Sequence, residues 1–355
     1  MQPGKVKESV LKRSVLRPIE NAGSEREAVL AAGGLDGKSG THESSICVKV
    51  IPVEGWTLAA RRAVYDSVNA LAAAGARPLA LAVTVLMPEE TEEPRLKGLM
   101  QELGQLCARE GLTLSAGHTA VSPLVDTLLL TVTGIGLTDC EADPPVSFSI
   151  RSMGRTGTGG RNQADQAAHM DLLMIGHAGR EGAALLASCR REDLLKRYAA
   201  SFLEPALHFY DRAGLTGLIR ILRQHGMAAG KAVREGGVFA ALWELAAFLG
   251  TGLSVDIRKI PIRQHTIEIC EYFNLNPYQL LSGGCLLAVC PDGEAALAFL
   301  EESAEATAIM SDQGITAGVI GRTRPGNDRL VSYDTETRYL EPARMDEIYK
   351  VLWKR

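Results

Sequence analysis

Apolar positions along the chain switch between the period of a strand and the period of a helix. Ile46-Cys47-Val48-Lys49-Val50-Ile51 reads as a strand stopped by Pro52, and Leu79–Met87 as a buried strand. Between them Leu58, Val64, Val68 and Leu71 recur at helical spacing, with Thr57 placed to cap the helix and Gly75 and Pro78 to close it. After the turn Pro88-Glu89-Glu90-Thr91, a second helical face runs through Leu96, Leu99, Met100, Leu103 and Leu106 to a stop at Gly111. Leu112–Ser115 and Thr127–Gly136 read as strands, with Ala116-Gly117-His118-Thr119 at the end of the first. Helices alternating with strands predict an α/β or α+β domain.

The pattern then breaks. Residues 138–168 hold Asp143-Pro144-Pro145 and a glycine run flanked by Arg151, Arg155 and Arg161, which predicts a connector. The chain thus divides into an N-terminal domain, 1–137, whose first 45 residues are an arm and loop, and a C-terminal domain, 169–345. In the second domain Leu172–Gly176 reads as a strand and Glu181–Cys189 as a helix, with helices at 193–200, 203–213 and 215–225. Strands follow at Gly252–Ile257, Leu286–Cys290, 315–321 and 329–333.

One stretch combines pattern with chemistry: Arg234-Glu235-Gly236-Gly237 runs straight into the amphipathic Val238, Leu242, Leu245, Leu249. Two glycines at a helix start permit close packing, and they equally let backbone N–H groups approach a phosphate at the positive helix end. The loop Gly33–Gly40 resembles a phosphate loop in composition but lacks the G-x-x-x-x-G-K-[ST] spacing.

At 355 residues the chain exceeds one ordinary core, in keeping with two domains. A formal charge of −4 gives no basis for a nucleic-acid or anionic-membrane partner. The N-terminus lacks a secretory apolar core, and the longest apolar run is too short to span a bilayer. Seven dispersed cysteines without a C-x-x-C pair point to reduced thiols and a cytoplasmic protein.

Taken in order, several motifs resemble the superfamily of aminoimidazole-ribonucleotide (AIR) synthetase, which includes thiamine-monophosphate kinase, selenophosphate synthetase and a hydrogenase maturation factor. They are Val10–Leu16, Val68-Asn69-Ala70-Leu71 through Pro78, Ala116-Gly117-His118-Thr119, Glu235-Gly236-Gly237 through Glu244, Asn276-Pro277-Tyr278, Ser282-Gly283-Gly284-Cys285 and Ile320-Gly321-Arg322. The hydrogenase-factor-like branch is the most similar. The resemblance implies two α/β domains, a homodimer joined through its N-terminal sheets into a barrel, and ATP with magnesium in the cleft between domains.

The sequence departs from that pattern where acids are expected. Ile51, Ala70 and Ala232 stand at three positions usually held by aspartate, and Glu43 replaces an acid after the N-terminal glycine loop. Lys231 and Arg234 add positive charge, which suits an anion and repels a metal. The resemblance therefore implies a site of Asn69, Gly117, Lys231, Arg234, Glu235, Gly236 and Gly237 for the nucleotide or another phosphorylated small molecule, with His118 and Glu43 as candidate catalytic groups and no metal ligand. Glu244 reads as a surface or capping acid. The hydrogenase factor carries its carbamoyl group on a C-terminal cysteine, and here no cysteine follows Cys290. The expectation is an ATP-site protein with weakened or lost magnesium chemistry. The alternatives are an active ATP-dependent enzyme using Glu43, His118 and Glu235, and a non-catalytic partner of an intact paralogue.

Overall fold

The computed structural model describes residues 45–138, 167–342 and 345–352. Glu43, the N-terminal arm and the connector from 139 to 166 lie outside them. The described residues form two sheets with helices, the two-domain architecture expected from the alternating pattern.

The first sheet has the order β1 (Ser45–Glu54), β4 (Leu129–Thr138), β2 (Arg77–Met87), β3 (Thr113–Val121). Only the β2–β3 pair is parallel. Helices α1 (Ala59–Ala73) and α2 (Glu93–Arg109) cover one face, where Ile51, Val53, Leu81, Val83 and Val132 are buried with Val64, Val68 and Leu103. The other face carries Ile46, Val48, Val50 and Leu129, all exposed, so the strands alternate apolar inward and apolar outward. Two local expectations change. The Ala116–Thr119 motif lies inside β3 because pairing with β2 continues to Val121. Thr57 does not cap α1: Leu58 occupies the N-cap in a left-handed conformation, and the Thr57 hydroxyl accepts from Cys189 Sγ instead.

The second sheet has the order β11 (Glu336–Tyr339), β10 (Arg329–Tyr333), β7 (Gly252–Asp256), β9 (Ala317–Arg324), β5 (Asp171–Ile175), β8 (Cys285–Cys290), β6 (Ala229–Val233). The continuous apolar runs of β5 and β8 fit their place as interior strands, covered on both sides. Leu172, Met174, Leu287 and Val289 face α7 (Gly237–Leu249). Leu173, Ile175, Leu286 and Ala288 face the layer of α6 (Thr216–Gln224), α9 (Gly293–Glu302) and α10 (Ala304–Gln313). The region between β5 and α6 holds α3 (Arg180–Cys189), α4 (Arg191–Leu194) and α5 (Ala200–Leu207), and α8 (Gln264–Phe273) follows β7. The helix expected over 203–213 is therefore shorter: α5 carries Pro205, which removes one backbone donor, and the chain turns after Leu207. A single apolar cluster joins α1 and β2 of the first domain to α3, α5 and α8 of the second, so the domains share a core. Among the described residues no helix is long and apolar enough to cross a membrane.

Candidate functional site

Strand β6 is one edge of the second sheet and runs beside α1. The approach is close: a Cβ at Gly230 would stand a tight 3.2 Å from the Ala73 carbonyl oxygen. Between these elements and β1 lies a cavity of about 150 Å³. Its walls bring together three residues far apart in sequence: Ile51, Ala70 and Ala232, the three positions where acids are expected and missing. Lys49, Lys231 and Arg234 supply its positive charge, and Glu235 and Glu244 its negative charge.

Two of these cations, Lys231 and Arg234, are held by acids of the same chain. Lys231 Nζ lies 2.6 Å from Glu244 Oε2, so Glu244 is a cavity residue and not merely a surface or capping acid. Arg234 Nε donates to Asp66 Oδ2 at 3.1 Å. Behind them sits a buried polar network that spans the domains. Arg62 Nε donates to Glu181 Oε1 at 2.6 Å, and Arg62 Nη1 to the Glu54 carbonyl at 3.0 Å. Tyr210 Oη donates to Asp66 Oδ1 at 2.6 Å, and the Gly283 N–H to Glu181 Oε2 at 3.0 Å. Burial and the nearby Asp66 push the Glu181 carboxyl up, while Arg62 pulls it back. Burial opposes charge on Arg62, but Glu181 and Asp66 outweigh it and raise its pKa.

The glycine pair has its own neighbours. Gly237 has φ +64°, and a Cβ there would lie 2.5 Å from the Tyr278 carbonyl oxygen and 2.7 Å from that of Leu280. The Gly236 N–H donates to Asp346 Oδ2 at 2.6 Å. Asp346 Oδ1 also accepts from Leu281 and Ile348 N–H. Burial pushes the Asp346 carboxyl up to about 7 against these three donors. The segment that carries Asp346 continues across the domain boundary, where Tyr349 Oη donates to Glu54 Oε2 at 3.5 Å. Burial and Glu235 raise the Glu54 carboxyl, which places a further acid beside the cleft.

Of the residues expected from sequence, Lys231, Arg234 and Glu235 meet in the cavity. Asn69 stands beside Ala70, but its amide ties the domains: Nδ2 donates to the Ala213 carbonyl at 2.8 Å, and Oδ1 accepts from Leu215 N–H at 2.7 Å. Gly236 is tied to Asp346 of the C-terminal segment, and Gly237 packs against the Tyr278 and Leu280 carbonyls. Gly117 and His118 belong to β3, where register pairs His118 with Thr84 on the face turned away from α1. Glu43 lies outside the described residues. Lys49, Glu54, Asp66, Glu181 and Asp346 were not expected. Glu181 carried no local signal, since an acid in the first turn of a helix is common, and its partner Arg62 lies 119 residues away. Ile51, Ala70 and Ala232, at three expected magnesium-ligand positions, are apolar and supply no carboxylate oxygen.

Residues 38–138 match the family described as AIR synthase related protein, N-terminal domain. Carbamoyl dehydratase HypE of Rhodobacter capsulatus is 30% identical over 264 residues, covering 73% of this chain and 68% of its own. The chain belongs to the AIR synthase-related superfamily, in its hydrogenase-maturation branch. Two solved structures share the superfamily fold. Hydrogenase maturation protein HypE in complex with ATP aligns with a TM-score of 0.66 at 20% identity, covering 98% of this chain and 97% of that one. HypE in a HypE–HypF complex aligns with a TM-score of 0.66 at 20% identity, covering 92% and 99%. The described residues therefore have the superfamily's two-domain fold.

Proposed function

We propose that this chain binds ATP, or a similar phosphorylated small molecule, in the cavity between β1, α1, β6 and α7. The observation that carries the reading is the convergence of Ile51, Ala70 and Ala232 on one cavity that also holds Lys49, Lys231 and Arg234. Apolar residues at the metal positions and cations beside them favour direct contact with phosphate oxygens over contact through a divalent ion. Magnesium chemistry is weakened accordingly. Calorimetric titration with ATP tests this: binding will not depend on magnesium, and Lys231→Ala will weaken it about tenfold, the loss of one charge-assisted contact. Binding that requires magnesium and is followed by ATP hydrolysis would sink the reading.

That same outcome supports a second reading, an ATP-dependent enzyme of the carbamoyl dehydratase kind. The 30% identity to a named carbamoyl dehydratase favours it, as does the grouping of Glu54, Glu235 and Asp346 near Tyr349. Of the candidates Glu43, His118 and Glu235, Glu235 lines the cavity in that case, and His118 lies on the sheet face turned away from α1.

We further propose a homodimer seated on the uncovered face of the first sheet. Val48 and Val50 are 52% and 58% exposed there, in a row with Ile46 and Leu129. Val48→Glu will shift the protein from dimer to monomer in sedimentation velocity; a monomeric parent protein would refute the proposal. The HypE–HypF complex keeps a different protein partner open for the same branch. The six described cysteines are free, which supports a cytoplasmic setting.

A further inference from the structure

The turn from β5 into α3 gathers two arginines that, among the described residues, are held by carbonyl oxygens and not by carboxylates. Gly176-His177-Ala178-Gly179 makes that turn, with both glycines at positive φ. Arg180, the next residue, is 4% exposed. Its Nη2 donates to the carbonyls of Arg212 at 3.0 Å and Gln313 at 3.2 Å, and its Nη1 lies 3.5 Å from Gln313 Oε1. Arg263 stands nearby, its Nη2 donating to the Gly314 carbonyl and its guanidinium 5.2 Å from the centre of the Phe209 ring. Among the described residues neither arginine forms an ion pair with a carboxylate. The surrounding acids are engaged elsewhere: Asp211 by Arg61 and His208, Asp312 by Arg212, and Glu181 by Arg62.

His177 lies against the same pair. It is 8% exposed, its Nε2 sits 3.4 Å from Thr316 Oγ1, and its Nδ1 is buried with no hydrogen-bond partner. Burial and the charges of Arg263 and Arg180 hold its pKa down to about 4. A buried guanidinium beside a second cation and an unsatisfied imidazole nitrogen is costly unless a negative group completes the set. The positive end of α3 adds to the same field. Thr316 is exposed and Arg263 half-buried, so the cluster is open to solvent on that side.

We infer that His177, Arg180, Arg263 and Thr316 form a second anion site, separate from the interdomain cavity, which takes a phosphate group. Arginine suits phosphate because its planar N–H fork meets two oxygens at once. The His177 Nδ1 and the Thr316 hydroxyl supply polar contacts that a carboxylate, with only two oxygens, would not fill.

The test uses the full-length protein with labelled histidine, titrated with inorganic phosphate and, separately, with glycerol phosphate. Saturable movement of the His177 ring resonances with phosphate is expected, and movement with the ester as well would show that a phosphoryl group suffices. Arg263→Gln, at a half-buried position, will weaken binding about tenfold, and Thr316→Val will weaken it less. Lys231→Ala, in the interdomain cavity, will leave the His177 response unchanged. An unmoved His177 resonance, or an equal response in Arg263→Gln, would overturn the site. A response lost in Lys231→Ala but kept in Arg263→Gln would overturn it too, by assigning the anion to the cleft.

Discussion

Replacing Arg62 with methionine will lower stability by about 3–5 kcal/mol, because it leaves a buried acid without its partner. Glu181 is fully enclosed and receives the Arg62 Nε at 2.6 Å, while Asp66 repels it from the other side. Removing the guanidinium removes the attraction and leaves the repulsion. It also releases the Glu54 carbonyl, which loses its donor. Urea unfolding at neutral pH measures the loss. Changing both members, Arg62→Met with Glu181→Met, will cost much less than the sum of the two single changes, since a neutral apolar pair can replace a buried ion pair at little net cost. Strict additivity would show that the pair does not couple the domains. The pH dependence has a fixed sign. Burial already raises the folded-state pKa of Glu181, and losing Arg62 raises it further. The folded variant then binds a proton more readily than the unfolded chain. Its deficit will be smallest at acid pH and will grow as pH climbs past the ordinary glutamate range.

Gly237→Ala will cost about 3 kcal/mol in folding stability. A left-handed φ of +64° disfavours any Cβ by about 1–2 kcal/mol. The new methyl would also press on the carbonyls of Tyr278 and Leu280, and such overpacking costs about 1–3 kcal/mol. Phe239 and Tyr278, whose rings stack at 5.4 Å, will move apart as that strain is relieved. Differential scanning calorimetry gives the first quantity, and ATP titration of the folded fraction gives the second. Lost stability with ATP affinity kept identifies Gly237 as a packing residue. Lost affinity with stability kept would place phosphate on the helix start and reverse that conclusion.

Both substitutions separate what was legible in the chain from what was not. Strand and helix positions followed from local periodicity, and β5 and β8 were readable as interior strands from their unbroken apolar runs. The superfamily was readable from motif order. So was the shared location of Ile51, Ala70 and Ala232, because a departure repeated at three aligned positions carries spatial information that one departure does not. The surroundings of the glycine pair were not readable. Gly236 and Gly237 are fixed by residues 278–280 and by Asp346, and nothing beside them in sequence announces either neighbour. The tie made by Asn69 was hidden for the same reason: its amide meets Ala213 and Leu215, more than 140 residues onward. Charge pairs were the least visible feature. Asp66 and Arg62 sit on a helix whose polar residues suggest solvent, yet both are buried against acids and bases of the other domain.

The segment from Asp346 to Leu352 holds the late chain to both domains. Asp346 secures Gly236 and Leu281, Tyr349 reaches Glu54, and the Val351 carbonyl accepts from Arg190. During synthesis every one of those anchoring partners leaves the ribosome before the residues that hold it. The N-terminal domain, and most of the second sheet, can form while translation is still under way. The seam between them near Gly236 and Glu54 closes only after the Asp346–Leu352 segment has emerged, so the cleft is finished by residues made later than the partners they hold.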